Sequence, residues 1–219
     1  MGGEPGLSDV PIQLIMPGAQ LPGMFFCAGS AIVSCMLIIL GGFLGSGRKI
    51  LSRKIAERHG LYFYTIADKK LHSFSVAKDG AIHERIQRAK TDDMRMRIYG
   101  RAIAEFPRLR KMYPDVILED VFHRARPREY FIAEAQKYFD NVIFVWIESD
   151  EASVADRLAL MKKKGLIDSI ETSLHRRRRS MENFEELKPG TLSFYHTKSD
   201  DRAAERLWDL IMKHAGDSE

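Results

Sequence analysis

Apolar and polar residues alternate along the chain in blocks that predict strands followed by helices. The first block is an apolar run, residues 37–44, which ends in a glycine-rich turn. After the turn, apolar residues recur at helical spacing as far as His59 and Gly60. β-Rich runs of strand length follow at residues 61–66, 115–122, 141–149 and 191–197. Because helical patterns separate these runs, the sequence predicts an α/β three-layer sandwich, a central parallel sheet of about five strands with helices on both faces.

The other helices have boundary signals of their own. Asp150 is expected to cap a helix, and Pro114 stops an earlier one because proline cannot continue a helix. The pattern predicts helices over residues 92–112, 127–135, 151–162 and 170–187, and a last one from residue 203 onwards.

The N-terminal part of the chain has two interpretations. No charged residue occurs between Val10 and Gly47, and residues 24–44 are long and apolar enough to cross a membrane. The cations that follow would then lie in the cytoplasm. A buried parallel strand is also an uninterrupted apolar run, and Gly29 and Ser30 interrupt the longer stretch, which favours a strand at residues 37–44. On this interpretation residues 1–35 are an N-terminal extension and residues 36–219 form the compact domain.

Composition narrows the choice of ligands. The chain has 219 residues, of which 45% are hydrophobic and 29% charged, as expected for one globular domain. Its net charge of +4 favours anionic ligands, but the 34 basic residues are mixed with 30 acidic ones, so no nucleic acid partner is expected. Two cysteines without zinc-binding spacing fit a reducing compartment, and we expect a cytoplasmic protein.

The glycine-rich turn is similar to a phosphate-binding loop. The loop pattern is G-x-x-x-x-G-K-S/T, and residues 42–49 read G-F-L-G-S-G-R-K. Glycines allow the N–H groups of such a loop to converge on phosphate oxygens beside a helix N-terminus. A glycine-rich turn can also serve only close packing. The residues expected to bind nucleotide phosphates are Gly42, Gly45, Ser46, Gly47, Arg48 and Lys49.

The last two residues of the loop depart from the pattern. Arg48 replaces the lysine that reaches the outer phosphates, which keeps the charge but changes its shape. Lys49 replaces the hydroxyl that ligates Mg²⁺, and an ammonium group cannot ligate a cation. These two residues therefore argue against metal-dependent turnover more than they argue against nucleotide binding.

From Met36 to the C-terminus, the order of parts resembles the P-loop small-molecule kinases, which include gluconate, shikimate and nucleoside monophosphate kinases. The resemblance implies ATP and Mg²⁺ as cofactors and a small hydroxylated acceptor. In "YFYTIADKKLH" it implies that Asp68 orients the acceptor hydroxyl, with Arg48 as the second catalytic residue. In "VFHRARPREYF" it suggests Arg124 and Arg128 as substrate contacts. Asp115, Glu119 and Asp120 bracket the third strand, and one of them, with Asp120 as the candidate, could hold Mg²⁺ through water, although capping and ion pairing also explain these acids.

A basic segment at about residues 162–180 matches the mobile lid of these kinases in length and charge. Lid cations neutralise the negative charge on the phosphoryl group while it is transferred. The candidates are Arg157, Lys162, Lys164, Arg177 and Arg178.

Three functions fit the sequence. The first is an ATP-dependent phosphotransferase acting on a sugar acid, a shikimate-like compound or a nucleoside. The second is a nucleotide-binding protein with impaired catalysis that acts as a regulator. The third is a membrane-anchored basic interaction protein, which requires residues 24–44 to be helical.

Overall fold

Five parallel strands form the centre of the structure. The computed structural model of the chain describes residues 34–66, 92–197 and 202–216, all within one compact unit, Val33–Glu219. The strands are β1 (Met36–Gly42), β2 (Tyr62–Thr65), β3 (Asp115–Glu119), β4 (Asn141–Glu148) and β5 (Leu192–Tyr195). They pair in the order β2-β3-β1-β4-β5, all parallel.

Strand β1 lies in the middle of the sheet, which explains its uninterrupted apolar sequence. Leu37 and Ile39 face one hydrophobic cluster, and Ile38 and Leu40 face the other. All four side chains are fully buried. A strand covered on both faces has no solvent side and therefore shows no alternation of polar residues.

Seven helices are present among the described residues. They are α1 (Arg48–His59), α2 (Asp92–Ile103), α3 (Phe106–Met112), α4 (Ala125–Ala135), α5 (Glu151–Lys163), α6 (Ile170–Glu182) and α7 (Ala203–Gly216). Helices α2 to α4 contribute to one apolar cluster, and α1 and α7 contribute to the other. The predicted three-layer α/β fold is therefore confirmed.

Two of the predicted helix ends are confirmed by their caps. Gly60 ends α1 with a φ of 71°, in the left-handed region that glycine adopts readily. The Asp150 carboxylate accepts a 2.7 Å hydrogen bond from the N–H of Ser153 at the start of α5.

The single helix predicted over residues 92–112 is wrong. The structure divides it into α2 and α3, with a break at Ala104 and Glu105. Pro107, in the first turn of α3, has no N–H to donate to the carbonyl of Ile103, and its ring would clash there. A continuous helix through this point is therefore excluded.

Helix α6 is shorter than predicted, since it ends at Glu182 and not at Leu187. The carbonyl groups of Glu185 and Glu186 instead accept hydrogen bonds from the Arg128 guanidinium at 3.3 and 2.7 Å. These bonds hold the segment after α6 in a non-helical conformation against α4.

The interpretation of residues 24–44 as one membrane-spanning helix is wrong, because Met36–Gly42 is a strand at the centre of the sheet. Within the part of the chain that the structure describes, no helix has the length and apolar character needed to span a membrane.

The central position of β1 leads to a test of stability. Replacing the fully buried Leu40 by alanine leaves a cavity in the sheet core. We expect Leu40→Ala to lower the free energy of unfolding by about 2–5 kcal/mol. The matched control is Leu166→Ala, because Leu166 is 66% exposed. The control should change stability by less than about 0.5 kcal/mol in urea denaturation. Equal losses for the two variants would contradict the assignment of β1 as the central strand.

Candidate functional site

The candidate site lies where β1 ends and α1 begins. Residues 42–47 form the loop, which starts at the last residue of β1, and Gly45 and Gly47 have φ angles of 82° and 89°, which L side chains rarely adopt. Gly47 is the residue before α1; no described side chain caps this helix, and its first turn contains no acidic residue. The N–H groups at this end of α1 therefore form a positive helix terminus suited to an anion.

Side chains bind five consecutive carbonyl groups of this loop. Arg48 donates to the carbonyl oxygens of Gly42 and Phe43 at 2.7 and 2.8 Å. The other three bonds run from Arg177 to Leu44 at 2.9 Å, from Arg157 to Gly45 at 3.0 Å, and between His196 Nδ1 and the Ser46 carbonyl at 3.1 Å. Each bond fixes the orientation of one peptide group, so the loop is held in its curved form from its carbonyl side.

Arg157 connects the loop to the ends of two strands. Besides Gly45, it donates to the Ser149 hydroxyl at 2.7 Å and to the His196 carbonyl at 3.1 Å. Ser149 Oγ also donates to that carbonyl, at 2.6 Å. Ser149 follows β4 and His196 follows β5, so this network ties the loop to the carboxyl edge of the sheet.

Phe43 provides an apolar contact next to these polar ones. Its ring packs edge-on against Trp146 and Phe184, with centroid distances of 5.1 and 5.4 Å. The Arg177 guanidinium lies 5.5 Å from the centroid of the same ring. Helix α6 and the residues after it therefore contact the loop through both a hydrogen bond and aromatic packing.

Arg48 forms an ion pair behind the loop. Its Nε donates to Glu119 Oε2 at 2.8 Å, and only 14% and 6% of the two side chains are exposed. Burial raises the pKa of Glu119, whereas the charges of Arg48 and Lys49 lower it. Glu119 lies beside Leu40 at the end of β3, and this register brings the carboxylate to the beginning of the loop.

Next to Glu119 are several buried titratable groups. Asp120 follows β3, and its charge, like burial, raises the pKa of the Tyr99 hydroxyl. Burial is also the largest cause of the lowered pKa of His123, which falls to about 4, with Arg95 and Arg124 acting in the same direction. Phe122, between Asp120 and His123, has a φ of 49°, unusual for a residue with a bulky side chain.

The structure brings together part of the predicted site. The residues that meet at the loop are Gly42, Gly45, Ser46, Gly47, Arg48, Lys49, Arg157 and Arg177. Of these, Lys49 is exposed, and the buried Ser46 hydroxyl has no partner among the described residues. The predicted lid residues Lys162, Lys164 and Arg178 have exposed side chains. Asp68 lies outside the described residues.

The two predicted substrate arginines make contacts within the protein. Arg124 pairs with Asp92 at 2.7 Å and, more distantly, with Glu185. Arg128 is buried, and its guanidinium donates to backbone carbonyls. Their role as substrate contacts stays a prediction.

Sequence reasoning missed His196 and Ser149. Each is a polar residue at the carboxyl end of a predicted strand, residues 141–149 and 191–197, and strand ends of this kind border the sites of parallel sheets. That positional signal is present in the sequence and could have identified both residues.

Solved structures of small-molecule kinases are similar to this chain. A sugar kinase from Janibacter sp. has a TM-score of 0.56 and 15% identity, over 80% of this chain and 93% of that chain. A gluconokinase from Sinorhizobium meliloti has a TM-score of 0.54 and 17% identity, over 81% and 95%. Shikimate kinase from Acinetobacter baumannii, in complex with shikimate, has a TM-score of 0.54 and 14% identity, over 83% and 94%. No protein-family model and no curated protein sequence matches the chain.

The fold of the chain is thus that of the P-loop small-molecule kinases, and the resemblance stated from the sequence is confirmed at the level of the fold.

This fold family implies a Mg²⁺ ion, but the residues at the loop do not fit one. Lys49 stands where a hydroxyl ligand is needed, and Glu119 already pairs with Arg48. Asp120, the predicted metal-binding acid, is buried and interacts with the Tyr99 hydroxyl, and its role stays a prediction. Among the described residues, no group of three or more His, Cys, Asp or Glu could hold a metal ion. A magnesium site bound partly by phosphates needs fewer protein ligands than that, but the Lys49 ammonium has no lone pair for a metal and the Glu119 carboxylate is paired with Arg48.

The tight contact at Gly47 predicts a specific loss of stability. A Cβ atom added there would lie 2.4 Å from His196 Nδ1. Gly190→Ala is the matched control, because Gly190 has a similar φ of 82° and no atom within 4 Å of an added Cβ. Both variants should lose about 1–2 kcal/mol through the left-handed backbone. Gly47→Ala should lose at least about 1 kcal/mol more by urea denaturation. Equal losses would contradict the contact with His196.

The lowered pKa of His123 predicts a pH dependence of stability. The unfolded chain gains a proton on this histidine below about pH 6.5, whereas the folded chain gains it only at about pH 4. The free energy of unfolding should therefore fall by an amount on the order of 2–3 kcal/mol as the pH decreases through this window.

The variant His123→Gln should lose this part of the pH dependence, as measured by urea denaturation at several pH values. The raised pKa of Glu119 acts in the opposite direction, since the folded chain then takes up a proton first. The difference between wild type and variant therefore isolates His123, and identical pH profiles would show that this histidine is not held neutral.

Proposed function

We propose that the protein is an ATP-dependent phosphotransferase that phosphorylates a small hydroxylated metabolite. The observation that carries this proposal is the loop of residues 42–47, whose carbonyl groups are bound by side chains and which leads into the uncapped N-terminus of α1. Phosphoryl transfer depends mainly on positioning and on charge neutralisation, and a preformed loop supplies both. The fold shared with kinases supports the same conclusion.

The loop would bind the nucleotide phosphates. The N-terminus of α1 offers N–H donors, and Lys49 adds an exposed positive charge at its second residue. The Ser46 hydroxyl, buried and without a partner among the described residues, is a further donor for a phosphate oxygen. Because five loop carbonyls are already bound, the loop requires little rearrangement when it receives the phosphates.

The acceptor is proposed to bind on the side of the sheet edge where β2 and β3 end. Asp68 follows β2 in the sequence and is proposed to orient the acceptor hydroxyl. The names of the similar structures include a sugar kinase, a gluconokinase and a shikimate kinase. We therefore propose a sugar acid or a shikimate-like compound as the acceptor, with a nucleoside, which the sequence also leaves open, as the third class.

The proposal is tested by following ADP formation from ATP with the full chain and a panel of acceptors. Gluconate, shikimate and a nucleoside represent the three acceptor classes. We expect one class to raise ADP formation well above the rate without acceptor, because an oriented hydroxyl replaces water as the nucleophile. Asp68→Asn should lower that rate by about 10²–10⁴-fold while the Kd of ATP changes little.

Gly47→Ala and Gly190→Ala provide the matched pair for the nucleotide site. Only Gly47→Ala should weaken ATP binding, since only its added Cβ displaces His196 from the loop. Circular dichroism verifies that each variant is folded before titration. ATP binding without transfer to any acceptor would favour a nucleotide-binding regulator, and no ATP binding would refute the proposed function.

A further inference from the structure

The Lys49 ammonium is one of the positive charges that could neutralise a polyphosphate bound at the loop. Lys49 is the second residue of α1, at the position where the loop pattern places a metal-binding hydroxyl. An ammonium group has three donors and no lone pair, so it can bind a phosphate oxygen but cannot ligate Mg²⁺. Its side chain is exposed at the helix terminus, where an anion would bind.

A second cation occupies the space behind the loop. The Arg48 guanidinium bridges Glu119 and the carbonyl groups of Gly42 and Phe43, with distances of 2.7 to 2.8 Å. A metal ion held by Glu119 would have to displace this guanidinium and leave a buried arginine without its partner. The Glu119 carboxylate is therefore already paired with a cation of the protein.

Two further cations, Arg157 and Arg177, lie next to the loop. Arg157 and Arg177 are both buried, and both donate to loop carbonyl groups. These two guanidinium groups place positive charge next to the loop before any ligand binds, and the charges of Asp150 and Glu151 offset it in part. A magnesium complex of ATP carries less negative charge than free ATP, so it gains less from such a site.

We infer that the loop binds the polyphosphate of a nucleotide without a magnesium ion, with the Lys49 ammonium in the place of the metal. This inference rests on the proposed function, because it concerns the same nucleotide site. It differs from the general expectation for this fold, in which a hydroxyl at that position and a metal ion share the phosphates.

Calorimetric titration of the full chain with ATP tests the inference, once in excess EDTA and once in excess Mg²⁺. The wild-type Kd in EDTA should be equal to the Kd in Mg²⁺ within about threefold, or lower. Lys49→Ser removes the ammonium and introduces a hydroxyl. It should weaken binding in EDTA by about tenfold or more, and weaken binding in Mg²⁺ much less.

Two further variants sharpen the comparison. Lys54→Ser removes another exposed lysine from α1 and should leave the ratio of the two Kd values unchanged. The double variant Arg48→Lys/Lys49→Ser changes the loop sequence to G-F-L-G-S-G-K-S, the full pattern, and should bind ATP more tightly with Mg²⁺ than with EDTA.

The outcomes separate this inference from the proposed function. Wild-type binding that is more than about threefold weaker in EDTA than in Mg²⁺ would overturn the inference and leave the proposed function standing. An unchanged ratio in Lys49→Ser would also overturn it. Failure to bind ATP in either buffer would overturn both.

Discussion

The curved loop between β1 and α1 depends on hydrogen bonds to its carbonyl groups. Carbonyl oxygens that are withdrawn from water cost free energy unless they are hydrogen-bonded, and the left-handed angles at Gly45 and Gly47 cost backbone entropy. Three guanidinium groups and one imidazole offset these costs by binding the carbonyls of residues 42–46. The N–H of Ser46 is itself used within the loop, where it donates to the Phe43 carbonyl at 3.1 Å, so an anion would find its donors mainly at the N-terminus of α1.

The same bonds explain why buried arginines are tolerated next to the sheet. Burial lowers the pKa of both Arg157 and Arg177, which reflects the cost of removing these charges from water. Each guanidinium recovers part of this cost through charge-assisted bonds to carbonyl oxygens, and Arg48 through its ion pair with Glu119. A bound polyphosphate would compensate these charges further, so ligand binding and folding are linked.

Strands and fold class could be predicted from the sequence because they depend on local patterns, whereas the contacts of the site could not. The apolar run of β1 and the carboxylate cap at Asp150 are local signals, and both predictions are confirmed. The partners of the loop carbonyls are far away in sequence, 112 residues for Arg157 and 133 for Arg177. The spacing of apolar residues does not show which carbonyl a distant guanidinium binds. The apolar pattern also continues from α2 into α3, and Pro107 is the local signal that separates the two helices.

The contacts of Phe43 have a mechanical consequence. Arg177, on α6, both binds the Leu44 carbonyl and lies over the Phe43 ring, and Phe184 packs on that ring just beyond the same helix. Any outward swing of α6 must therefore break a polar bond and an aromatic contact together. The positions of α6 and of the loop are therefore coupled, and a displacement of one would disturb the other.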